Sequence, residues 1–114
     1  MPKHVSVELD KPRKLRFDIN ALSDAEEALG VGIGAILQQN LGIRTIRALL
    51  WAGLKWQDHG LTLQRAGTLL QKYIEDGGDL SVLEGKLVEA LIGSGLFGKQ
   101  EEQEEGNAKA EAAE

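Results

Sequence analysis

The spacing of the apolar residues changes once, near residue 19, and that change constrains the fold more than any other feature of the chain. Before it, large apolar residues alternate with polar ones: Val5, Val7 and Leu9, then Leu15, Phe17 and Ile19. Alternation puts one face of each segment on a core and the other in water. The intervening Asp10-Lys11-Pro12-Arg13-Lys14 carries a proline suited to a turn, so residues 5–9 and 15–19 are expected as a β-hairpin. Two strands are marginal by themselves, so the hairpin must lay its apolar face on helices.

Beyond residue 19 the apolar residues recur with helical period. Asn20 can cap a first helix, and Ser23 with Glu26 forms a capping box one turn later. That helix turns Leu22, Ala25 and Leu29 inward and stops at Gly30. A short apolar turn follows, with Ile33, Ile36 and Leu37. The strongest helical pattern spans residues 42–57, with Ile43, Ile46, Leu49, Leu50, Gly53 and Leu54 on one face. Gly60 ends it, and Thr62 can cap the next helix, which runs to Asp76 with Leu63, Ala66, Leu69, Leu70 and Tyr73 inward. Gly77-Gly78 breaks the pattern. A last helix starts at Asp79 or Ser81, where Ser81 and Glu84 form a second capping box, and buries Leu83, Leu87, Val88, Leu91 and Ile92. Gly93, Gly95 and Gly98 finish the ordered body. The expected fold is mainly α (α+β), a short N-terminal β-hairpin packed on a bundle of four to five helices. No internal repeat is visible.

At 114 residues, with 42% hydrophobic and 27% charged residues, the chain has the size and composition of one globular domain. It contains no cysteine, which removes disulfide scaffolds, thiolate metal sites and cysteine nucleophiles. No apolar run approaches the roughly 18–20 residues that span a bilayer, so no membrane partner is expected. The N-terminal MPKHVSVELDKPRK lacks the apolar core of a signal peptide, and cytoplasmic residence is expected.

The net charge of −5 is concentrated at one end. From residue 99 onward Glu101, Glu102, Glu104, Glu105, Glu111 and Glu114 stand against Lys99 and Lys109. With no large apolar side chain to offset the entropy of ordering, residues 99–114 are expected as a disordered acidic tail following a domain of residues 1–98. The tail can solubilise, or it can act as an electrostatic arm for a basic partner. The basic cluster from Lys11 to Arg16 reads as a solvated hairpin tip.

Candidate chemistry is sparse. His4 reads as a frayed terminal residue and His59 as a helix-end imidazole, and neither has metal-ligand spacing to a second ligand. Gly30-Val31-Gly32-Ile33-Gly34 follows a helix rather than a strand and brings no lysine, so it reads as a helix cap or hinge instead of a phosphate loop. Gly93-Ser94-Gly95 lacks the outer positions of a nucleophile elbow. The acidic pairs Glu26–Glu27 and Glu75–Asp76 read as solvated helix-end residues. No catalytic site, cofactor or metal is expected, and the chain reads as a non-enzyme. Arg44, Arg47 and Arg65 could face a nucleic-acid groove, yet the helix after Thr62 turns apolar where a recognition helix stays polar. Nucleic acid is therefore not an expected partner, and a small DNA-binding regulator is the weakest of the alternatives.

Two blocks carry a family likeness. Arg16-Phe17-Asp18-Ile19-Asn20-Ala21-Leu22 leads into Glu26-Glu27-Ala28-Leu29-Gly30. Ile46-Arg47-Ala48-Leu49-Leu50-Trp51-Ala52-Gly53-Leu54 precedes Leu61-Thr62-Leu63 and Ala66-Gly67. Over residues 15–73 this series resembles the tail assembly chaperones of siphophages, prophages and gene transfer agents, a group also labelled gene-transfer-agent tail protein. The resemblance implies a non-enzymatic role: holding the tape-measure protein soluble while tail-tube subunits polymerise around it. It implies the tape-measure protein, and possibly tail-tube subunits, as partners, with self-association also open. A structural tail or head–tail joining subunit is the alternative; a tube subunit needs more sheet than one hairpin supplies.

On the long helix of residues 42–57, Arg44, Arg47, Trp51 and Trp56 are the candidate partner-binding residues, because Trp and Arg are enriched at binding hot spots and aromatic residues make up only 4% of the chain. Arg47 lies four residues before Trp51 and could cover its indole face. Ala48, Ala52 and Gly53 could let a neighbouring helix approach closely. These features read first as core-building, with an exposed groove or ridge for a partner as the alternative.

Overall fold

The computed structural model describes residues 4–38 and 41–95. Strands β1 (Val5–Glu8) and β2 (Pro12–Leu15) precede helices α1 (Ile19–Leu29), α2 (Ile33–Ile36), α3 (Ile43–Leu54), α4 (Leu63–Glu75) and α5 (Leu80–Ile92). The molecule is mostly helical, with a two-stranded antiparallel N-terminal hairpin and five helices, as expected. The expected acidic segment 99–114 lies outside the described residues.

The hairpin is shorter than the alternation suggested. Val5 pairs with Leu15 and Glu8 with Pro12, so Pro12 opens β2 and only Leu9, Asp10 and Lys11 form the loop. Its missing N–H falls at the strand's end, where a proline is tolerated. Val5, Val7 and Leu15 are buried, and so is Phe17 beyond the strand. Ile19, by contrast, is 65% exposed. The Asp18 carboxylate accepts the Ala21 N–H at 2.8 Å and caps α1, so Ile19 is already in helical geometry and points outward. Asn20 and Ser23, the expected caps, fall inside the helix. Phe17 and Leu22, both buried, occupy the two positions of a hydrophobic staple around the Asp18 cap.

Arg13 departs furthest from the expectation of a solvated basic tip. It faces inward with Val5, Val7 and Leu15 and is only 7% exposed. Its guanidinium makes two hydrogen bonds to Asp10, Nε to Oδ1 at 2.7 Å and Nη2 to Oδ2 at 3.0 Å, and lies 3.6 Å from Asp58 beyond α3. A buried cation persists only when paired, and two carboxylates from separate loops supply that pairing. Lys11 and Lys14 do remain exposed.

Helix α3 is the hub, packing against α1, α4, α5 and β2. Ile46, Ala48, Leu49, Leu50, Ala52 and Leu54 are all buried along it. Full burial of each large side chain contributes about 1.5–3 kcal/mol, so this helix carries much of the core. Gly53 admits the hairpin rather than a helix: its carbonyl accepts the Arg16 N–H at 2.9 Å, and the Leu15 and Phe17 side chains fill the space where its Cβ would stand. Helix α5 closes the other side of the hairpin through Leu83, Leu87 and Leu91, and Lys86 donates to the Ser6 carbonyl.

The helix ends follow local chemistry. Thr62 Oγ1 accepts the Arg65 N–H and caps α4, as its position predicts, while Asp79 rather than Ser81 caps α5. Gly30 ends α1 with φ 75°, and Gly77 follows α4 with φ 93°. The Gly78 N–H returns to the Tyr73 carbonyl and the Gly77 N–H to that of Ile74, completing a Schellman motif. Glu26 is exposed, as expected, but rather than capping its own helix it accepts the Ile33 N–H at 2.9 Å and satisfies the start of α2. Ile43 and Ile92, expected inward, are 57% and 44% exposed because each sits at a helix terminus past the edge of the neighbouring layer.

Candidate partner-binding strip on helix α3

One face of α3 stays half-open. Arg44, Arg47, Trp51 and Lys55 follow the spacing i, i+3, i+7, i+11 and therefore align along one side of the helix. Arg47, Trp51 and Lys55 are half-buried and Arg44 is exposed, whereas from Ile46 to Leu54 the other residues of α3 are buried.

Two helices flank this strip. On the α1 side, an Arg44 Nη2–H donates to the Ala28 carbonyl at 3.4 Å, and Lys55 pairs with Asp24. On the α4 side, the Arg47 side chain passes beside Gly67, with its Cδ 3.2 Å from where a Cβ would stand. Trp51 Nε1–H donates to the Leu61 carbonyl at 3.0 Å, just before α4. The pairings 51 with 61 and 47 with 67 run α4 antiparallel to α3. That direction brings exposed Ile74 of α4 and exposed Ile43 of α3 towards the same end of the strip.

The structure brings together three of the four residues singled out from the sequence. Arg44, Arg47 and Trp51 share the strip; Trp56, five positions beyond Trp51 and so off that line, turns to the hairpin instead. Trp56 Nε1–H donates to the Lys14 carbonyl at 3.0 Å, its ring stacks on His4 with centroids 4.9 Å apart, and the Arg16 guanidinium lies 5.3 Å from its centroid. Trp56 therefore anchors the hairpin, and His4 is held by that stacking rather than frayed. The cation over Trp51 is Lys55, 4.5 Å from the ring centroid, not Arg47. Arg47 instead leaves its Nε buried without a hydrogen-bond partner among the described residues. Lys55 is the member that sequence reasoning missed; its spacing from Trp51 was visible, but its partner Asp24 lies 31 residues away on another helix.

Among the described residues no group of three or more His, Cys, Asp and Glu could hold a metal ion, and no helix is long and apolar enough to cross a membrane. Compared with models of protein families, with curated proteins and with solved structures, the chain matches none.

Proposed function

We propose that this protein acts by binding, as a tail assembly chaperone that holds an amphipathic helical stretch of a tape-measure protein on the α3 strip. The observation that carries this reading is the half-open strip itself: an indole and two arginines on the central helix, flanked by α1 and α4. An amphipathic helix recognises such a site by laying apolar residues against the aromatic floor and polar residues against the rim. A tape-measure protein is a long helical chain whose apolar stripes aggregate without transient cover. The resemblance of residues 15–73 to the chaperone group adds support from sequence. In this reading the chain is non-enzymatic and works in the bacterial cytoplasm.

Co-expression with a tape-measure protein tests the proposal. A soluble complex that co-elutes on size exclusion, from a tape measure that is insoluble by itself, is the expected result. An insoluble tape measure, with this protein forming rings on its own, would instead favour the structural tail subunit.

A further inference from the structure

The two ends of the α3 strip differ in charge. At the C-terminal end Lys55 pairs with Asp24 and lies over the Trp51 ring, so that end is neutralised and partly covered. At the N-terminal end no carboxylate pairs with Arg44 or Arg47 among the described residues. Arg44 is exposed and makes one long bond, to the Ala28 carbonyl. Arg47 encloses its Nε, but its two Nη groups meet solvent and make no bond among the described residues. Side chains three positions apart on a helix are neighbours, about 5–6 Å apart at Cβ, so the two guanidinium groups form one doubly positive patch.

Apolar surface adjoins this patch. Ile43 and Ile74 are both exposed, and the antiparallel course of α3 and α4 brings them towards the same end. Acidic residues bound that end on either side. Glu26 and Glu27 lie in the last turn of α1, whose Ala28 carbonyl meets Arg44, and Glu75 and Asp76 close α4. A nucleic-acid backbone is a continuous polyanion and would be repelled by that rim. A helix instead presents carboxylates along one line and apolar residues along the next, which matches the patch in both respects.

We infer that the helix held on this strip is acidic along one edge, with carboxylates three or four positions apart paired to Arg44 and Arg47 and apolar residues resting on Ile43 and Ile74. The inference rests on the binding role proposed above and gives the partner its chemistry. Arginine suits this task, because its planar fork meets a carboxylate with two hydrogen bonds. The neutralised end at Lys55 makes no such demand, so the partner's charge is confined to the end that lies over Arg44.

Two synthetic amphipathic helices, each about three turns long to match the span from Arg44 to Lys55, test the inference. They share one apolar face and differ only in carrying two glutamates or two lysines, three positions apart, beside it. Each is titrated into the full-length protein, whose two tryptophans supply two indole N–H resonances. The acidic helix is expected to bind about tenfold more tightly than the basic one at low salt. It should shift the Trp51 indole and the Gly67 amide and leave the Trp56 indole in place. The preference should collapse at 1 M salt, where the screening length is about 3 Å. Arg44→Glu, at an exposed position on which the core does not depend, should abolish the preference.

Equal affinity for the two helices, no binding of the acidic one, or shifts confined to Trp56 would overturn the inference. So would a short DNA duplex that displaces the acidic helix from the strip. The titration and the co-expression fail separately. A soluble tape-measure complex without a charge preference would overturn the inference and keep the chaperone reading. A clear acidic preference beside an insoluble tape measure would keep the strip as a site for acidic helices and remove the tape measure as its occupant.

Discussion

Gly53 and Phe17 meet so closely that a Cβ on the glycine would stand 2.9 Å from the phenyl Cζ, and also 2.9 Å from a methyl of Leu15. Both neighbours are fully buried, so neither can swing into solvent. Gly53 therefore sets the distance between hairpin and hub helix, and its own carbonyl, bonded to the Arg16 N–H, holds the two in register.

Gly53→Ala is expected to destabilise the fold by about 1–3 kcal/mol, the usual cost of overpacking a core, despite the better helix propensity of alanine. Gly85→Ala on α5 supplies the contrast. A Cβ there meets nothing within 4 Å, so it is expected to stabilise by about 0.4–1 kcal/mol. Urea unfolding of both variants, read by tryptophan fluorescence, checks the opposite signs.

Much of this fold is legible in the sequence because its signals are local. Thr62 caps the helix it precedes, Gly30 and Gly77 end helices, and the apolar stripe of α3 needs only its period. Arg13 was not legible, because its position in the alternation points inward while its charge points outward. The conflict is resolved by Asp58, which lies 45 positions further along the chain. Ile19 misled for a related reason: alternation continues across Asp18, and only the cap reveals that the strand geometry has ended. The site divides the same way. Arg44, Arg47 and Trp51 align by spacing, which also sets Trp56 off their line; what the sequence hides is the Trp56 bond to the Lys14 carbonyl, made between residues 42 positions apart.

Acid should weaken the hairpin through Asp10. Hydrogen bonds from Arg13, aided by its charge, hold the Asp10 carboxyl below its ordinary value of 3.8, against the opposing effect of partial burial. A carboxyl depressed in the folded state binds fewer protons there than in the unfolded chain. Its stabilising contribution is thus complete above pH 3.8 and lost as pH falls through the lower, folded value. Asp10→Asn is expected to cost about 1 kcal/mol at neutral pH and to flatten the decline of stability below that point. Thermal unfolding of both proteins from pH 7 to pH 2 checks the difference; parallel curves would remove Asp10 from the acid response.

The turn after α4 depends on two glycines for different reasons. Gly77 needs its positive φ, whereas a Cβ on Gly78 would stand 2.6 Å from both the Tyr73 ring and the Tyr73 carbonyl oxygen. Gly77→Asn should be tolerated better than Gly77→Ala, since asparagine enters the left-handed region more readily; the alanine costs about 1–2 kcal/mol. Gly78→Ala should cost more than either, because the Tyr73 hydroxyl bond to the Asp79 carbonyl at 2.7 Å must be given up as the ring moves. Melting temperatures of the three variants in that order are the expected outcome.

The two tryptophans should separate in a binding assay. Trp51 lies on the α3 strip and Trp56 under the hairpin, so only the first belongs to the proposed partner surface. Alanine at position 51 would confound the test by removing half-buried surface, so Trp51→Phe is the better probe. It keeps an aromatic ring and forgoes the bond to the Leu61 carbonyl, a stability cost of about 1 kcal/mol. Combining Trp51→Phe with Arg44→Ala should weaken binding of a tape-measure helix by roughly tenfold or more, the measure of about 1–2 kcal/mol at a hot spot. Trp56→Phe should leave binding within about twofold while loosening the hairpin, since the Lys14 carbonyl loses its donor. Titration calorimetry with each variant reads affinity, and hydrogen exchange at the β1 and β2 amides reads the hairpin. Loss of affinity from Trp56→Phe, with none from the α3 pair, would move the partner surface off α3 and onto the hairpin side.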